Sequence, residues 1–162
     1  MNIANMQFDY TRMSLDIFVT GCTPPYCKGC HNPELWDFEV GYPYETFIKN
    51  VKNRISSFSR VIDRVSIMGG EPLDQNLRDL DDFVDQLIEA KDDDVELWLF
   101  TKYSLQKLKG EMPMLLEKFD FVKCGRYDIN KTDDCVRQYG VLLASNNQKI
   151  FKKGVDYCVQ KG

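Results

Sequence analysis

Val61-Ile62-Asp63-Arg64-Val65-Ser66-Ile67-Met68-Gly69-Gly70 is an apolar run that stops at two glycines, as a strand would. Leu77, Leu80, Phe83, Val84, Leu87 and Ile88 follow at helical spacing and predict one apolar helix stripe. This strand-then-helix unit decides the fold class, because it recurs on both sides. Upstream, Leu15, Ile17 and Val19 alternate with polar or exposed positions until Gly21 breaks the run. Tyr44, Phe47, Ile48, Val51, Ile55 and Phe58 then predict a helix, introduced by Pro43. Downstream, an acidic turn at Asp92-Asp93-Asp94 leads into a third strand, Val95 to Phe100. Ser104 and Pro113 start short helices over 104–110 and 113–118, and Phe119 to Lys123 reads as a fourth strand. Strands alternating with helices imply right-handed βαβ units, an α/β class and a mostly parallel sheet. Beyond Asp128 the pattern fades. We therefore expect one domain over 1–162, with its core at about 13–128 and a C-terminal segment at 129–162.

The chain has 162 residues, 43% hydrophobic and 28% charged, with a formal net charge of −4. That composition belongs to a folded domain and excludes intrinsic disorder. The slight acidity speaks against a nucleic-acid partner. No stretch reaches the roughly 18 apolar residues that span a bilayer, so no membrane association is expected. Met1-Asn2-Ile3-Ala4-Asn5-Met6 lacks a basic region followed by an apolar core, and a cytoplasmic setting with reduced thiols is expected. Six cysteines and one histidine make this a question about cysteine chemistry, since one His excludes zinc sites built on several histidines within the chain.

Parallel α/β sheets place their sites outside the carboxyl ends of the strands. Cys22, Gly69-Gly70-Glu71, Thr101-Lys102 and Cys124-Gly125-Arg126 all fall at those ends. Cys22, Cys27 and Cys30 form a C-x4-C-x2-C loop, stiffened by Pro24 and Pro25 and given a tight turn by Gly29. Three thiolates from one short loop can grip a soft metal centre. With no fourth ligand in the loop, they suggest an iron–sulfur cluster with one iron open to substrate. Two other readings stay open on the loop alone. One is a zinc knuckle completed by His31, Cys124, Cys135 or Cys158. The other is three cysteines that hold nothing. Cys124, Cys135 and Cys158 have no mutual metal spacing and read as bystanders.

Gly21-Cys22, Cys27, Gly29-Cys30-His31-Asn32-Pro33 and Trp36 resemble the cluster loop of radical S-adenosylmethionine (SAM) enzymes, in the branch that activates anaerobic ribonucleoside-triphosphate reductases. Met68-Gly69-Gly70-Glu71-Pro72-Leu73, Leu97-Trp98-Leu99-Phe100-Thr101, Gly125-Arg126-Tyr127 and Ser145-Asn146-Asn147-Gln148 resemble that family in the same order, so the likeness covers about 13–152. The family pattern has three residues between the first two cysteines where this chain has four. It often has an acidic residue at Cys124 and Gly at Lys102.

The resemblance implies a [4Fe–4S] cluster on Cys22, Cys27 and Cys30, with the amino and carboxylate groups of SAM on the open iron. It implies SAM contacts from Gly29, Cys30, His31, Gly69, Gly70, Glu71, Pro72 and Thr101. Lys102 has two readings, a partner for the SAM carboxylate or a solvated side chain. Asn147 and Gln148 either close the site, touch a partner or cap the C-terminal segment, and Trp36 reads as packing. The implied product is a glycyl radical on the large reductase subunit, with a flavodoxin-like electron donor. A chain this short cannot close a barrel of roughly 250 residues. A partial (βα) barrel of five to six units is expected, open at the side to a peptide loop. The alternative functions are a small-molecule radical SAM enzyme, of the deazaguanine-forming kind, and a zinc-stabilised binding module.

Overall fold

The fold is described from a computed structural model, over residues 1–158. The elements in chain order are β1 (Asn2–Asp9), β2 (Ser14–Val19), β3 (Tyr42–Pro43), α1 (Tyr44–Phe58), β4 (Arg64–Gly69), α2 (Leu77–Ala90) and β5 (Glu96–Phe100). There follow α3 (Leu105–Glu111), α4 (Pro113–Glu117), β6 (Phe121–Cys124), β7 (Arg137–Gln138), β8 (Val141–Leu142) and β9 (Lys149–Lys152). One seven-stranded sheet runs in the order β3-β1-β2-β4-β5-β6-β9, and β7-β8 is a separate hairpin.

The centre of the sheet, β2-β4-β5-β6, is parallel, as the alternating pattern predicts. β1 and β9 flank it antiparallel. The α/β class and mostly parallel sheet thus stand, in an open arrangement compatible with a partial barrel. The two edge strands, β3 and β9, are too short to show periodicity. β1 pairs with β2 over Ile3–Val19 to Asp9–Ser14.

Register sorts the side chains onto two faces. Ile17, Ile67, Leu99 and Val122 share one row. They lie in the main core with Ile48, Val51 and Ile55 of α1 and Leu80, Phe83, Val84 and Leu87 of α2. Asp16, Ser66, Trp98 and Phe121 form the neighbouring row on the opposite face. There Trp98 and Phe121 pack with Val141, Leu143 and Ile150. The polar positions of β2 were expected to be exposed. Instead Ser14 and Asp16 are buried, and Arg12 Nη2 donates to Asp16 Oδ2 at 2.5 Å. Among the described residues no helix is long and apolar enough to cross a membrane.

Each βα unit ends where its residues dictate. Asn76 caps α2, its side chain accepting from the Arg78 amide at 2.9 Å. Phe83 is fully buried and meets Tyr44 edge-on at 6.0 Å between ring centroids. Phe83→Ala is expected to lower stability by about 3–5 kcal/mol, through lost burial and the cavity left behind. Met114→Ala, on an exposed side chain, should change it by less than about 0.5 kcal/mol. Urea denaturation under anaerobic, reducing conditions reads both.

Candidate functional site

The exits of β2, β4, β5 and β6 converge on one cavity of about 310 Å³, within the roughly 300–1,000 Å³ of small-molecule sites. Its wall includes Cys22, Cys27, Cys30, Gly69, Gly70, Glu71 and Thr101. His31, Lys102, Lys123, Gly125, Tyr127 and Gln148 also line it. Gly29 and Pro72 lie off this wall. Gly29 turns the cysteine loop at φ 75°, and Pro72 is buried at the start of a 3-10 turn.

The cysteine loop is fastened at both ends. The Gly21 and Cys22 amides donate to Leu35 O at 2.8 Å and Trp36 O at 3.0 Å, while Cys30 N donates to Cys27 O at 3.1 Å. Tyr26, inside the loop, stacks on Trp36 at 4.1 Å, which gives Trp36 its packing role. Cys22, Cys27 and Cys30 are all free and partly exposed. Cys124 faces the helix-side core, and burial pushes its thiol up to about 12. Cys135 donates its thiol to Thr132 O at 3.1 Å, away from the cavity, and Cys158 is exposed.

The glycine pair lets two backbones touch. Gly70 N donates to Val19 O at 2.8 Å and Glu71 N to Gly21 O at 2.7 Å. A Cβ on Gly70 would stand 2.4 Å from Gly21 O, and one on Gly69, at φ 113°, 2.6 Å from Val19 O. Glu71 is buried and fully engaged: Oε1 accepts from Thr101 Oγ1 at 2.7 Å and Leu73 N at 3.0 Å, and Oε2 from Lys102 N at 2.6 Å. Burial pushes its carboxyl up, against the pull of these hydrogen bonds. Its carboxylate therefore orders the site through Thr101 and Lys102.

Lys102 is not the solvated side chain of one of its sequence readings. Its side chain is 7% exposed, and Nζ pairs with Asp74 Oδ2 at 2.6 Å. The same ammonium reaches Thr23 O at 2.8 Å and Cys22 Sγ at 3.6 Å. Asp74 also accepts from Thr23 N at 2.6 Å and from the Tyr103 hydroxyl. Burial pushes the Cys22 thiol up while Lys102 pulls it back down. His31 lies against Tyr127, rings 4.6 Å apart. Asn147 Nδ2 donates to Arg126 O at 2.9 Å and Gln148 Nε2 to Gly125 O at 3.2 Å, so both hold the loop after β6 against the cavity.

Three further residues escaped the sequence reading. Gln75 is buried and donates to Thr20 O at 2.8 Å and Glu71 O at 3.1 Å, tying the two exits together. Asp74 organises Lys102 and Thr23 as described above. Lys123 faces the cavity with one hydrogen-bond partner, Gly125 O at 3.3 Å, and burial pulls its ammonium down to about 8. Asp74 and Gln75 directly follow the Gly-Gly-Glu-Pro-Leu run, a signal of position only.

Among the described residues, no three His, Cys, Asp or Glu side chains come together closely enough for one metal ion. A single zinc would need thiolates about 4 Å apart, given Zn–S bonds of about 2.3 Å. A multi-iron cluster spreads its cysteine ligands further, so the donor set fits a cluster better than a zinc knuckle.

Comparison with known proteins agrees. Residues 11–151 match the model of the 4Fe-4S single cluster domain. The chain belongs to the 4Fe-4S single cluster domain family. Relatives within reach carry the name anaerobic ribonucleoside-triphosphate reductase-activating protein. The one from Pasteurella multocida is 29% identical over 84% of this chain and 85% of its own. The one from enterobacteria phage T4 is 30% identical over 70% of each. The one from Escherichia coli K12 is 26% identical over 83% of this chain and 84% of its own. No solved structure matches the chain.

Two outcomes follow from this geometry. Gly70→Ala should lower the melting temperature and the iron content together, because a Cβ there runs into the Gly21 backbone at the head of the cysteine loop. Gly110→Ala, with nothing within 4 Å, should be neutral or stabilise by up to about 1 kcal/mol. Burial acts to raise Asp74, but hydrogen bonds from Lys102, Tyr103 and Thr23 outweigh it and hold the carboxyl below its ordinary 3.8. A depressed folded pKa adds stability above the unfolded pKa and loses it as pH falls through the folded one. Melting temperature should therefore decline below about pH 4, and Asp74→Asn should flatten that decline.

Proposed function

We propose that this protein is a radical SAM activase for an anaerobic ribonucleoside-triphosphate reductase, acting in the cytoplasm with a flavodoxin-like electron donor. The observation that carries the reading is the cysteine triplet at the mouth of a cavity walled by the Gly69-Gly70 turn. The names of the relatives and the order of the matching segments point the same way.

In this reading Cys22, Cys27 and Cys30 hold a [4Fe–4S] cluster. When bound, cluster and SAM together supply one-electron cleavage of the sulfonium, giving methionine and a 5′-deoxyadenosyl radical that takes hydrogen from a glycine of the large reductase subunit. The chain's own residues bind, orient and exclude water. Gly69 and Gly70 let backbone carbonyls approach the methionyl ammonium without a Cβ in the way. Thr101, its hydroxyl given to Glu71 and one lone pair taken by Tyr103 N at 3.2 Å, keeps one lone pair for a ribose or ammonium donor. Lys123 offers a partly desolvated cation for the SAM carboxylate. His31 and Tyr127 form an aromatic pair for the adenine. The open side of the sheet admits a peptide loop, as a protein substrate requires.

Cys22→Ala, Cys27→Ala and Cys30→Ala should each abolish cluster retention and activation, whereas Cys135→Ala should keep both. Anaerobic reconstitution of the unaltered chain should give about four irons per chain and a reduced-cluster spin signal that SAM changes. Tightly bound zinc with no response to SAM would sink the reading. Equal losses in all four variants would sink the assignment of the cysteines.

A further inference from the structure

The Lys102–Asp74 pair is buried at both ends, with side-chain exposures of 7% and 3%. A buried ion pair is weak evidence for stability, because desolvation offsets most of the attraction. Its position is more telling than its strength. Nζ stands 3.6 Å from Cys22 Sγ and 2.8 Å from Thr23 O, so the pair abuts the first cysteine of the loop. It meets the part of the loop where this chain has an additional residue between Cys22 and Cys27. Thr23 gives its amide to Asp74 at 2.6 Å and its hydroxyl to the same oxygen at 2.7 Å. The ammonium is thereby held from three directions and cannot swing away from the sulfur without breaking all of them.

Hydrogen bonds and positive charge at a cluster's sulfurs favour the state carrying one more electron, and so raise its reduction potential. We propose that Lys102 is a positioning residue that sets the reduction potential of the cluster on Cys22, with Asp74 partly neutralising it. This rests on the cluster reading above, and asks nothing of SAM or of the partner enzyme. The couple concerned takes one electron into the cluster, supplied in the test by dithionite.

The test is a mediated potentiometric titration of the reconstituted full chain, read by the spin signal of the reduced cluster. Iron and acid-labile sulfide are assayed first. Lys102→Met should lower the equilibrium constant for reduction on the order of tenfold, equivalent to 59 mV for one electron. Lys102→Arg should recover most of that shift, which a merely structural role would not predict. A fully loaded Lys102→Met protein with the original midpoint overturns the inference. If Lys102→Met loads poorly, Asp74→Asn decides: the neutralising carboxylate is gone, so the midpoint must rise, and an unchanged or lower value overturns the inference. An unaltered chain that binds no iron defeats the cluster reading and this inference together. A shifted midpoint in a chain that activates no reductase supports the inference and defeats only the activase reading.

Discussion

The Glu71 carboxylate sits 2% exposed at the carboxyl edge of the sheet, and both of its oxygens accept hydrogen bonds. An ionised carboxylate in that position would be costly without donors. Its donors come from two places far apart in sequence, the turn at Leu73 and the β5 exit at Thr101 and Lys102. Its own amide reaches back to Gly21 O at 2.7 Å. One residue, through its carboxylate and its amide, thus fixes three strand exits relative to each other. The cysteine loop begins at one of them and the Lys102 ammonium at another. The distance between Lys102 and Cys22 is therefore a consequence of where Glu71 sits.

That constraint works only because the two backbones beside it can touch. Gly69 and Gly70 bring β4 against the exit of β2 at distances that a Cβ would prevent. Gln75 then donates to the Thr20 and Glu71 carbonyls, so the close approach leaves few polar groups without partners. On the far side, Asn147 and Gln148 do the same for the loop after β6. The cavity is held open by hydrogen-bonded backbone at its exits, while apolar packing lies on the helix side. Such a wall suits a site that must admit a small cofactor and then a segment of another protein.

Much of this was legible in the sequence wherever the relevant signal was local. The periods of α1 and α2 and the apolar runs of β4 and β5 arise within one element, and they predict the parallel centre. β1 and β9 pair with β2 and β6; the alternation Asn5-Met6-Gln7-Phe8-Asp9 is a strand signal that the sequence reading passed over, while the four residues Lys149–Lys152 are too few to announce a strand. The burial of Asp16 was equally hidden, since an alternating polar position reads as exposed and its ion pair with Arg12 forms only in the fold. At the site, the cysteine spacing and the glycine pair are local patterns and could be read. Asp74, Gln75 and Lys123 gain their roles from neighbours 28 to 55 residues away or from the shape of the cavity, so their spacing carries no message.

Lys102 shows how a departure from a family pattern can be organised in three dimensions. Against the pattern it resembles, the chain carries a residue more between Cys22 and Cys27, and a lysine at a position often taken by glycine. Either change alone would be awkward. A longer loop would leave extra backbone groups to satisfy, and a buried lysine would lack a counter-charge. Together they answer each other: Lys102 donates to the Thr23 carbonyl, Asp74 accepts from the Thr23 amide, and the two charges pair at 2.6 Å. The desolvation of that pair is a standing cost at the edge of the cavity, and what it secures is a cation held beside the cysteine that opens the loop.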